Sequence, residues 1–487
     1  MLYNSFTFLL FFPIVALLYY IVPKQWKWLY IILVSYWFYA NWNPTFVLLM
    51  VGITLVTYVG ALIIEKTGLE QVSRRKTVLW LTLLLTILPL LLYKYLNFFA
   101  TNIISLFDVC GISMDVPLPQ WMLPIGISFY TFQAMGYVID VYKEKKIGGN
   151  SLCERHLGRY AAFVCFFPQT AAGPIGRVSS LLPQLRNPQP IMAENLSKGL
   201  KWILWGYFMK VAVADRLSLY TDAVMGNVGL HNGSSVVLAA VLFSIQIYCD
   251  FGGYSLLAVG AGKVMGYDLI MNFQRPYMSQ SVGEFWRRWH ISLSTWFRDY
   301  VYFPLGGSRC SKLRTNINLM ITFLVSGLWH GSAWTFVFWG GINGLFQIIE
   351  RPFMTKTKNK ENTKGIFCQN NKFIDVRKWL KIALTFTLMT VAWVFFKANT
   401  FQDAWLALTK MLIPLGKLYN PGMSTMAYCL IGALLVVVED IWHEKIGKHP
   451  LFDSKYSWVR LTSIILVTMY IIAFGVFDGG QFIYFKF

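Results

Sequence analysis

Long apolar stretches, separated by short polar segments, recur along the whole chain. Several approach the roughly 20 apolar residues that a helix needs to cross a bilayer, and apolar strands do not alternate with polar turns. The predicted apolar helices are residues 5–22, 28–40, 45–64, 77–100, 123–141, 200–213, 235–248, 317–329, 334–349, 380–396, 426–438 and 461–477. A shorter stretch, residues 157–168, is predicted to be re-entrant or interfacial. We therefore predict an all-α, polytopic transmembrane bundle of about 11 or 12 spans, in a single domain covering residues 1–487.

Composition and charge agree with a membrane protein. Hydrophobic residues make up 56% of the chain and charged residues only 14%, whereas soluble domains carry about 25% charged residues. The net charge of +20 comes from basic residues between the apolar stretches, as in cytoplasmic loops of membrane proteins. This arrangement favours contact with anionic membrane lipid, and a nucleic-acid partner is not expected.

The distribution of Lys and Arg predicts the orientation of the chain. Both are absent from residues 28–65, 95–142 and 217–262, so the turns within these ranges are expected outside the cell. The basic segment 351–378 is predicted to be a flexible cytoplasmic loop. If every apolar stretch crosses the plasma (inner) membrane, both termini lie outside.

The first segment that could carry chemistry is residues 284–307. Read as a helix, it places tryptophans on one face and His290, Ser294 and Arg298 on a polar ridge, with Arg287 one turn earlier. This pattern predicts an amphipathic helix at the cytoplasmic interface. A purely structural alternative is that its Trp and Arg side chains only anchor the helix among lipid headgroups.

The second segment contains Asn318, Thr322, Ser326 and His330, which are four residues apart and share one helix face. His330 ends an apolar stretch, and ionisable residues within a bilayer often line a site. Desolvation opposes the imidazolium, and a neutral imidazole can accept a proton from a hydroxyl. His330 is therefore a candidate general base. The alternative is a histidine that only bonds to a neighbouring helix.

Other polar residues give weaker signals. Asp250 lies in residues 250–255, a predicted polar break after an apolar stretch, and is expected to pair structurally with one of the nearby arginines. The seven cysteines form no CxxC pair and are expected to be small buried side chains. No HExxH, Walker, GxSxG or dinucleotide-binding motif is present, so we expect no metal.

Several motifs together resemble a known family. They are NFQRPY (272–277), FWRRWHISLSTW (285–296), RDY (298–300), PLGG (304–307), WHG (329–331), AGPI (172–175) and GQFIYFKF (480–487). In combination they resemble the membrane-bound O-acyltransferases, and within them the bacterial alginate O-acetyltransferase-like subgroup. The resemblance implies a helical bundle around a central tunnel. One departure is Lys397, where the family often has Arg.

The resemblance also implies roles for particular residues. His330 matches the catalytic histidine and His290 the second polar residue of the active site. Apart from the resemblance, the residue pattern itself makes Asn318, Ser326, Trp329, Asp250 and Tyr254 candidates for supporting roles, and Arg287, Arg288 and Arg298 candidates for binding donor phosphates. The acyl donor would be a cytoplasmic thioester, either acetyl-CoA or an acyl-carrier protein.

These observations predict an O-acyltransferase that acetylates a cell-surface or secreted polysaccharide. The resemblance implies an extracytoplasmic, esterase-like acetyltransferase as its partner. Two alternatives remain open from the sequence. One is D-alanyl transfer to teichoic acid by the same fold, and the other is a transporter that uses the histidine as a proton relay, although internal repeats typical of transporters are not detectable.

Overall fold

The computed structural model describes residues 1–113, 116–144, 146–147, 150–171, 173–363, 376–449, 451–477 and 483. These residues are mainly α-helical and divide into two compact units. The first comprises Met1–Tyr207 and Tyr254–Met271, and the second comprises Phe208–Gly253 and Asn272–Phe487.

The first unit is built from helices and one small hairpin. Its helices are α1 (Phe6–Ile21), α2 (Lys27–Ala40), α3 (Thr45–Lys66), α4 (Val72–Leu90), α5 (Leu96–Val109), α6 (Ile127–Tyr142), α7 (Leu157–Cys165), α8 (Phe167–Thr170), α9 (Val178–Arg186) and α10 (Ala193–Tyr207). A π-helical segment, Leu91–Tyr95, joins α4 to α5. The antiparallel hairpin consists of β1 (Lys146–Ile147) and β2 (Asn150–Ser151).

The second unit contains the two segments with candidate chemistry. Its helices are α11 (Asp215–Met225), α12 (Gly233–Val264), α13 (Val282–Arg288), α14 (Ile291–Phe297), α15 (Lys312–His330), α16 (Trp334–Thr363), α17 (Val376–Lys397), α18 (Phe401–Leu412), α19 (Met423–Ile446) and α20 (Ser457–Phe474). The C-terminal part of α12 belongs to the first unit. Two π-helical segments, Phe208–Ala214 and Arg298–Tyr302, adjoin α11 and α14.

Six helical segments of the described chain are long and apolar enough to cross a membrane. They are Thr45–Lys66, Val72–Val109, Gly233–Val264, Val376–Lys397, Met423–Ile446 and Ser457–Phe474. The predicted all-α, polytopic architecture is confirmed. The remaining predicted spans fold as shorter or more polar helices, such as the 16-residue α1 and α6.

The polar break predicted after residue 248 is wrong. Helix α12 continues without interruption from Gly233 to Val264, so Asp250 and Tyr254 lie within it. The outer turns predicted at residues 101–120 and 217–233 are likewise partly helical, because α5 extends to Val109 and α11 covers Asp215–Met225. Polar residues interrupt the apolar pattern at these places but do not interrupt the backbone hydrogen bonds of the helix.

The basic segment 351–378 falls partly outside the described residues. Helix α16 continues to Thr363, and α17 begins at Val376. Residues 364–375 are not described, nor is Ala172 of the AGPI motif, and only Ile483 of the C-terminal motif is described. The cytoplasmic position of the segment and its flexibility remain predictions.

Candidate active site

His290 sits at a sharp break between two short helices. Helix α13 ends at Arg288 and α14 begins at Ile291, while His290 adopts a left-handed conformation with φ 43° and ψ 53°. The continuous amphipathic helix predicted for this segment is therefore wrong. The break turns His290 inward, and its side chain is completely buried. A left-handed conformation costs a non-glycine residue about 1–2 kcal/mol, so neighbouring contacts must hold it.

Asn272 supplies the contacts that hold this turn. Its carbonyl accepts a hydrogen bond from Ile291 N–H at 3.0 Å, and its side-chain Oδ1 accepts one from Ser292 N–H at 3.2 Å. Two residues later, Gln274 N–H donates to the carbonyl of Arg288 at 3.0 Å. The segment from Asn272 to Gln274 thus runs beside the break and bonds to the backbone on both sides of it. Without it, the first N–H groups of α14 would be unsatisfied.

A tight helical hairpin positions His330 at the end of α15. The N-terminal cap of α15 is Ser311, whose Oγ accepts from Arg314 N–H at 3.3 Å. At the other end α15 packs closely against α16, because a Cβ on Gly340 would lie 2.3 Å from the carbonyl oxygen of Phe323. A Cβ on Gly331 would lie 2.2 Å from the ring of Phe336. Small residues here let the chain reverse directly after His330.

The structure brings the two histidines together. The ring centroids of His290 and His330 are 6.3 Å apart, and His330 is 2% exposed. Aromatic rings surround the pair: Phe251 lies edge-on to His290 at 4.6 Å, and Trp339 lies edge-on to His330 at 4.9 Å. Phe396 approaches His330 at 5.6 Å. Both imidazoles therefore share one buried, aromatic environment.

The four residues predicted to share one helix face form a polar stripe on α15. They are Asn318, Thr322, Ser326 and His330. Asn318 is fully buried and its Nδ2 donates to the carbonyl of Gly307 at 3.1 Å, while Thr322 donates to the carbonyl of Asn318 at 2.7 Å. Ser326 is buried one turn before His330. Asn318 therefore ties the PLGG segment to α15.

Trp329 lies beside both candidate catalytic residues. Its ring centroid is 5.9 Å from that of His290 and 5.0 Å from that of His330, and its side chain is buried. The structure thus brings Trp329 into the histidine pair as an aromatic neighbour of both.

Asp250 pairs with a lysine, and not with an arginine as predicted. Lys210 Nζ lies 2.6 Å from Asp250 Oδ1 and 2.7 Å from Asp215 Oδ1, and all three side chains are at most 6% exposed. The second Asp250 oxygen accepts a hydrogen bond from Ile483 N–H at 2.8 Å. Asp250 also connects to the site through its neighbour Phe251, which packs on His290. A structural pairing role for Asp250 thus agrees with the geometry.

Tyr254 belongs to the first unit. It is completely buried, and its ring lies 4.8 Å from that of Tyr3. It lies one helical turn after Asp250 on α12. Its supporting role in catalysis remains a prediction.

The three candidate donor-binding arginines differ in their surroundings. Arg287 and Arg298 are both exposed, and Arg298 is paired with its neighbour Asp299 at 2.9 Å. Arg288 contacts Glu284 at 2.6 Å and Glu444 at 2.9 Å. Burial alone would lower the pKa of the Arg288 guanidinium, but its bonds to Glu444 and Glu284 raise the pKa above its ordinary value. Arg288 therefore holds α13 in place, whereas Arg287 and Arg298 are exposed to a ligand.

Two glutamates near the site have no recognisable signal in the sequence. Glu350 on α16 accepts hydrogen bonds from the N–H groups of Val282 and Gly283, at 2.9 and 2.8 Å, and so caps the start of α13. Glu444 on α19 binds Arg275 and Arg288. Both act across long sequence separations, so only the fold shows their roles. For Asn272, its place in the NFQRPY motif was the available signal.

Within the part of the chain that the structure describes, no three His, Cys, Asp or Glu side chains are grouped so as to hold a metal ion. The described chain is a polytopic helical membrane protein with two buried imidazoles in an aromatic environment. Such groups can accept and return a proton away from water.

Comparison with known proteins agrees with this description. The sequence model of the membrane-bound O-acyltransferase family matches residues 154–391. A probable alginate O-acetylase of Pseudomonas aeruginosa is 37% identical over 83% of this chain and 74% of its own length. A peptidoglycan O-acetyltransferase of Helicobacter pylori is 34% identical over 78% of this chain and 72% of its own length.

A more distant relative is a teichoic acid D-alanyltransferase of Streptococcus thermophilus. It is 28% identical over 58% of this chain and 69% of its own length. Taken together, the family match and the relatives show that the chain belongs to the membrane-bound O-acyltransferase family. It is a multi-pass membrane enzyme that transfers an acyl group to an oxygen atom.

Proposed function

We propose that this enzyme takes acetyl groups from a cytoplasmic thioester and passes them across the membrane for O-acetylation of a cell-surface or secreted polysaccharide. The alginate and peptidoglycan relatives support this acceptor class, since their names specify acetylation of two different polysaccharides. The donor is acetyl-CoA or an acetylated carrier protein. The enzyme resides in the plasma (inner) membrane with both termini outside.

The observation that carries the proposal is the pair of buried imidazoles with centroids 6.3 Å apart. His330 accepts the proton of the acceptor hydroxyl as its oxygen attacks the thioester carbonyl. The C–S bond then breaks, the ester forms, and the leaving thiolate takes up the proton. His290 orients the reacting group, and Trp329 and the stripe residues Asn318 and Ser326 shape the surroundings of His330.

Access to these residues from both sides of the membrane requires a passage, and we propose the tunnel of the family for this role. Arg287 is the arginine that we assign to donor phosphates, since it is exposed and, unlike Arg298, has no ion pair with a carboxylate among the described residues. Arg288 acts through its contacts with Glu284 and Glu444 to position α13. An extracytoplasmic, esterase-like acetyltransferase would complete delivery to the polysaccharide.

The test is the ester content of surface glycans in cells that produce His330→Ala, His290→Ala or wild-type enzyme at equal membrane levels. Acetate released by mild base is measured separately from extracellular polysaccharide and from peptidoglycan. General acid–base groups contribute about 100- to 10,000-fold, so His330→Ala should reduce ester acetate to background. The matched control is His231→Ala, which changes a histidine at the end of the short helix Val228–Leu230. Normal acetylation by His330→Ala would contradict the assigned base.

D-alanyl transfer to teichoic acid is a second candidate, because a D-alanyltransferase is among the relatives. Its lower identity and shorter coverage favour acetyl transfer. Purified enzyme offered radiolabelled acetyl-CoA, acetyl-carrier protein or D-alanyl-carrier protein separates the donors. Labelling only from the D-alanyl carrier would replace the acetyl proposal while keeping the acyltransferase mechanism.

A further inference from the structure

A cationic cavity lies in the first unit. Its volume is about 470 Å³, and its wall includes Lys24, Gln25, Trp28, Arg159 and Arg186. These residues come from the turn between α1 and α2, from the starts of α2 and α7, and from the end of α9. The volume falls within the range of about 300–1,000 Å³ that is usual for small-molecule sites. The lining favours a polar ligand, because three of these side chains are cations.

The positive charge of the cavity is only partly neutralised. Arg186 pairs with the buried carboxylate of Glu154 at 2.7 Å. Among the residues that the structure describes, neither Lys24 nor Arg159 has a carboxylate within ion-pair distance. One carboxylate against three cations leaves two positive charges beside a common space. A phosphate group would match this excess, since it accepts hydrogen bonds from both lysine and arginine.

The wall of the cavity is also held in place. Trp28 packs so closely against α7 that a Cβ on Gly158 would lie 2.2 Å from its ring. The ring of Trp28 also lies edge-on to His156 with centroids 4.8 Å apart. The side chain of His156 in turn accepts a hydrogen bond from Arg159 N–H at 3.2 Å and caps α7. The tryptophan and Arg159 are therefore fixed to the same short helix.

An exposed apolar stripe leads along α1 to the cavity. Ile14, Leu17, Leu18 and Ile21 are 58%, 69%, 46% and 76% exposed, and their spacing places them on one face of the helix. Lys24 follows Ile21 by three residues. An apolar face that ends at a cationic cavity matches the shape of a phospholipid, with acyl chains along the helix and a phosphate at its end.

We propose that this cavity binds the headgroup phosphate of an anionic phospholipid, whose acyl chains lie along the exposed face of α1. The predicted orientation supports this ligand, because it places Lys24 on the cytoplasmic side, where anionic lipids are enriched. Lys24 and Arg159 bind the phosphate, and Trp28 contacts the glycerol region at the interface, where tryptophan is favoured.

The test uses the full-length protein purified in detergent. Binding of dioleoylphosphatidylglycerol and of dioleoylphosphatidylcholine is measured by native mass spectrometry and by the shift in thermal unfolding. We expect phosphatidylglycerol to bind more tightly, and the double variant Lys24→Gln/Arg159→Gln to weaken its binding at least about tenfold, because two charge-assisted hydrogen bonds are lost. The control variant Lys312→Gln/Arg314→Gln removes an exposed lysine and arginine elsewhere and should bind like the wild type.

Several outcomes would overturn the proposal. One is equal binding of the two lipids, and another is unchanged phosphatidylglycerol binding by the double variant. Coenzyme A and glycerol 3-phosphate form a separate arm. A further contrary result is that either of them raises the unfolding temperature as much as phosphatidylglycerol does, and that the double variant abolishes this increase. The site would then bind a soluble phosphorylated molecule and not a lipid. If the double variant does not fold, Lys24→Glu, at an exposed position, should weaken phosphatidylglycerol binding by reversing one charge.

Discussion

Glu444 is expected to control the position of His290 from another helix. Its carboxylate accepts a hydrogen bond from Arg275 at 2.7 Å and from Arg288 at 2.9 and 3.0 Å. The backbone beside these two arginines is joined by the bond from Gln274 N–H to the Arg288 carbonyl. Glu444 thus holds both chain segments that border the turn at His290. Glu444→Gln removes the negative charge while nearly preserving the shape of the side chain.

The size of the effect follows from the contacts and their burial. The three side chains are 20–25% exposed, so solvent weakens their interaction only in part. A hydrogen bond to a charged group contributes about 1.5–3 kcal/mol. In the Glu444→Gln variant, Arg288 keeps its ion pair with Glu284, and the glutamine side chain keeps one oxygen that can accept a hydrogen bond. We therefore expect the free energy of unfolding to fall by about 2–4 kcal/mol. If about 1.4–2.8 kcal/mol of this loss appears as misplacement of His290, kcat falls about 10- to 100-fold.

A double-mutant cycle tests this reasoning. Unfolding in detergent is compared for wild type, Glu444→Gln, Arg275→Gln and the double variant, with Lys445→Gln as an exposed control on the same helix. Residues in direct contact should show a coupling energy of about 1–3 kcal/mol. We expect kcat to fall more than KM rises. Additive losses in the cycle, or a normal kcat for Glu444→Gln, would refute the role of Glu444 in holding the turn.

Three further substitutions probe single features. His290→Gly should be more stable than His290→Ala by about 1 kcal/mol, because only glycine adopts the left-handed conformation freely; equal melting temperatures would contradict this. Lys210→Met leaves Asp250 buried beside a second carboxylate and should cost about 3–5 kcal/mol, seen as lost accumulation in the membrane. Lys397→Met breaks an ion pair with Asp222 in which the lysine is 15% and the carboxylate 46% exposed; because water can solvate the carboxylate that is left, the melting temperature should change little, by the equivalent of about 0–1 kcal/mol.

The sequence predicts helices well where apolar residues are continuous. The stretch predicted as residues 45–64 folds as α3, Thr45–Lys66. The prediction of helices fails at α12, where Asp250 was expected to begin a polar break in the helix. The reason is that the charge of Asp250 is compensated by Lys210, which precedes it by 40 residues and contacts it only after folding. A local pattern contains no information on such a partner.

The two histidines of the candidate site show the same limit of local sequence patterns. The stripe ending at His330 depends on helix spacing alone, and the structure places it on α15 as predicted. The turn at His290 depends on the segment from Asn272 to Gln274. Asn272 accepts hydrogen bonds from the first N–H groups of α14, and Gln274 N–H donates to the Arg288 carbonyl at the end of α13. Periodicity over residues 284–300 favoured a continuous helix, because the apolar residues fit its spacing. The hydrogen bonds from a distant segment overrode that preference.

The conformation of His290 helps to decide whether its side chain only packs in the core or takes part in catalysis. A buried aromatic side chain fills a core equally well from a continuing helix, which avoids the cost of a left-handed residue. Here Arg275, on the segment that borders the turn, is also left-handed, at φ 48°. Strain of this kind persists only where the surrounding structure holds it, and it concentrates at sites of ligand binding and catalysis. Glu444 binds one of these two strained residues, Arg275, and also Arg288, two residues before the other. Strain on both segments that border the turn, which places one imidazole 6.3 Å from another, is better explained by a requirement for that placement than by packing.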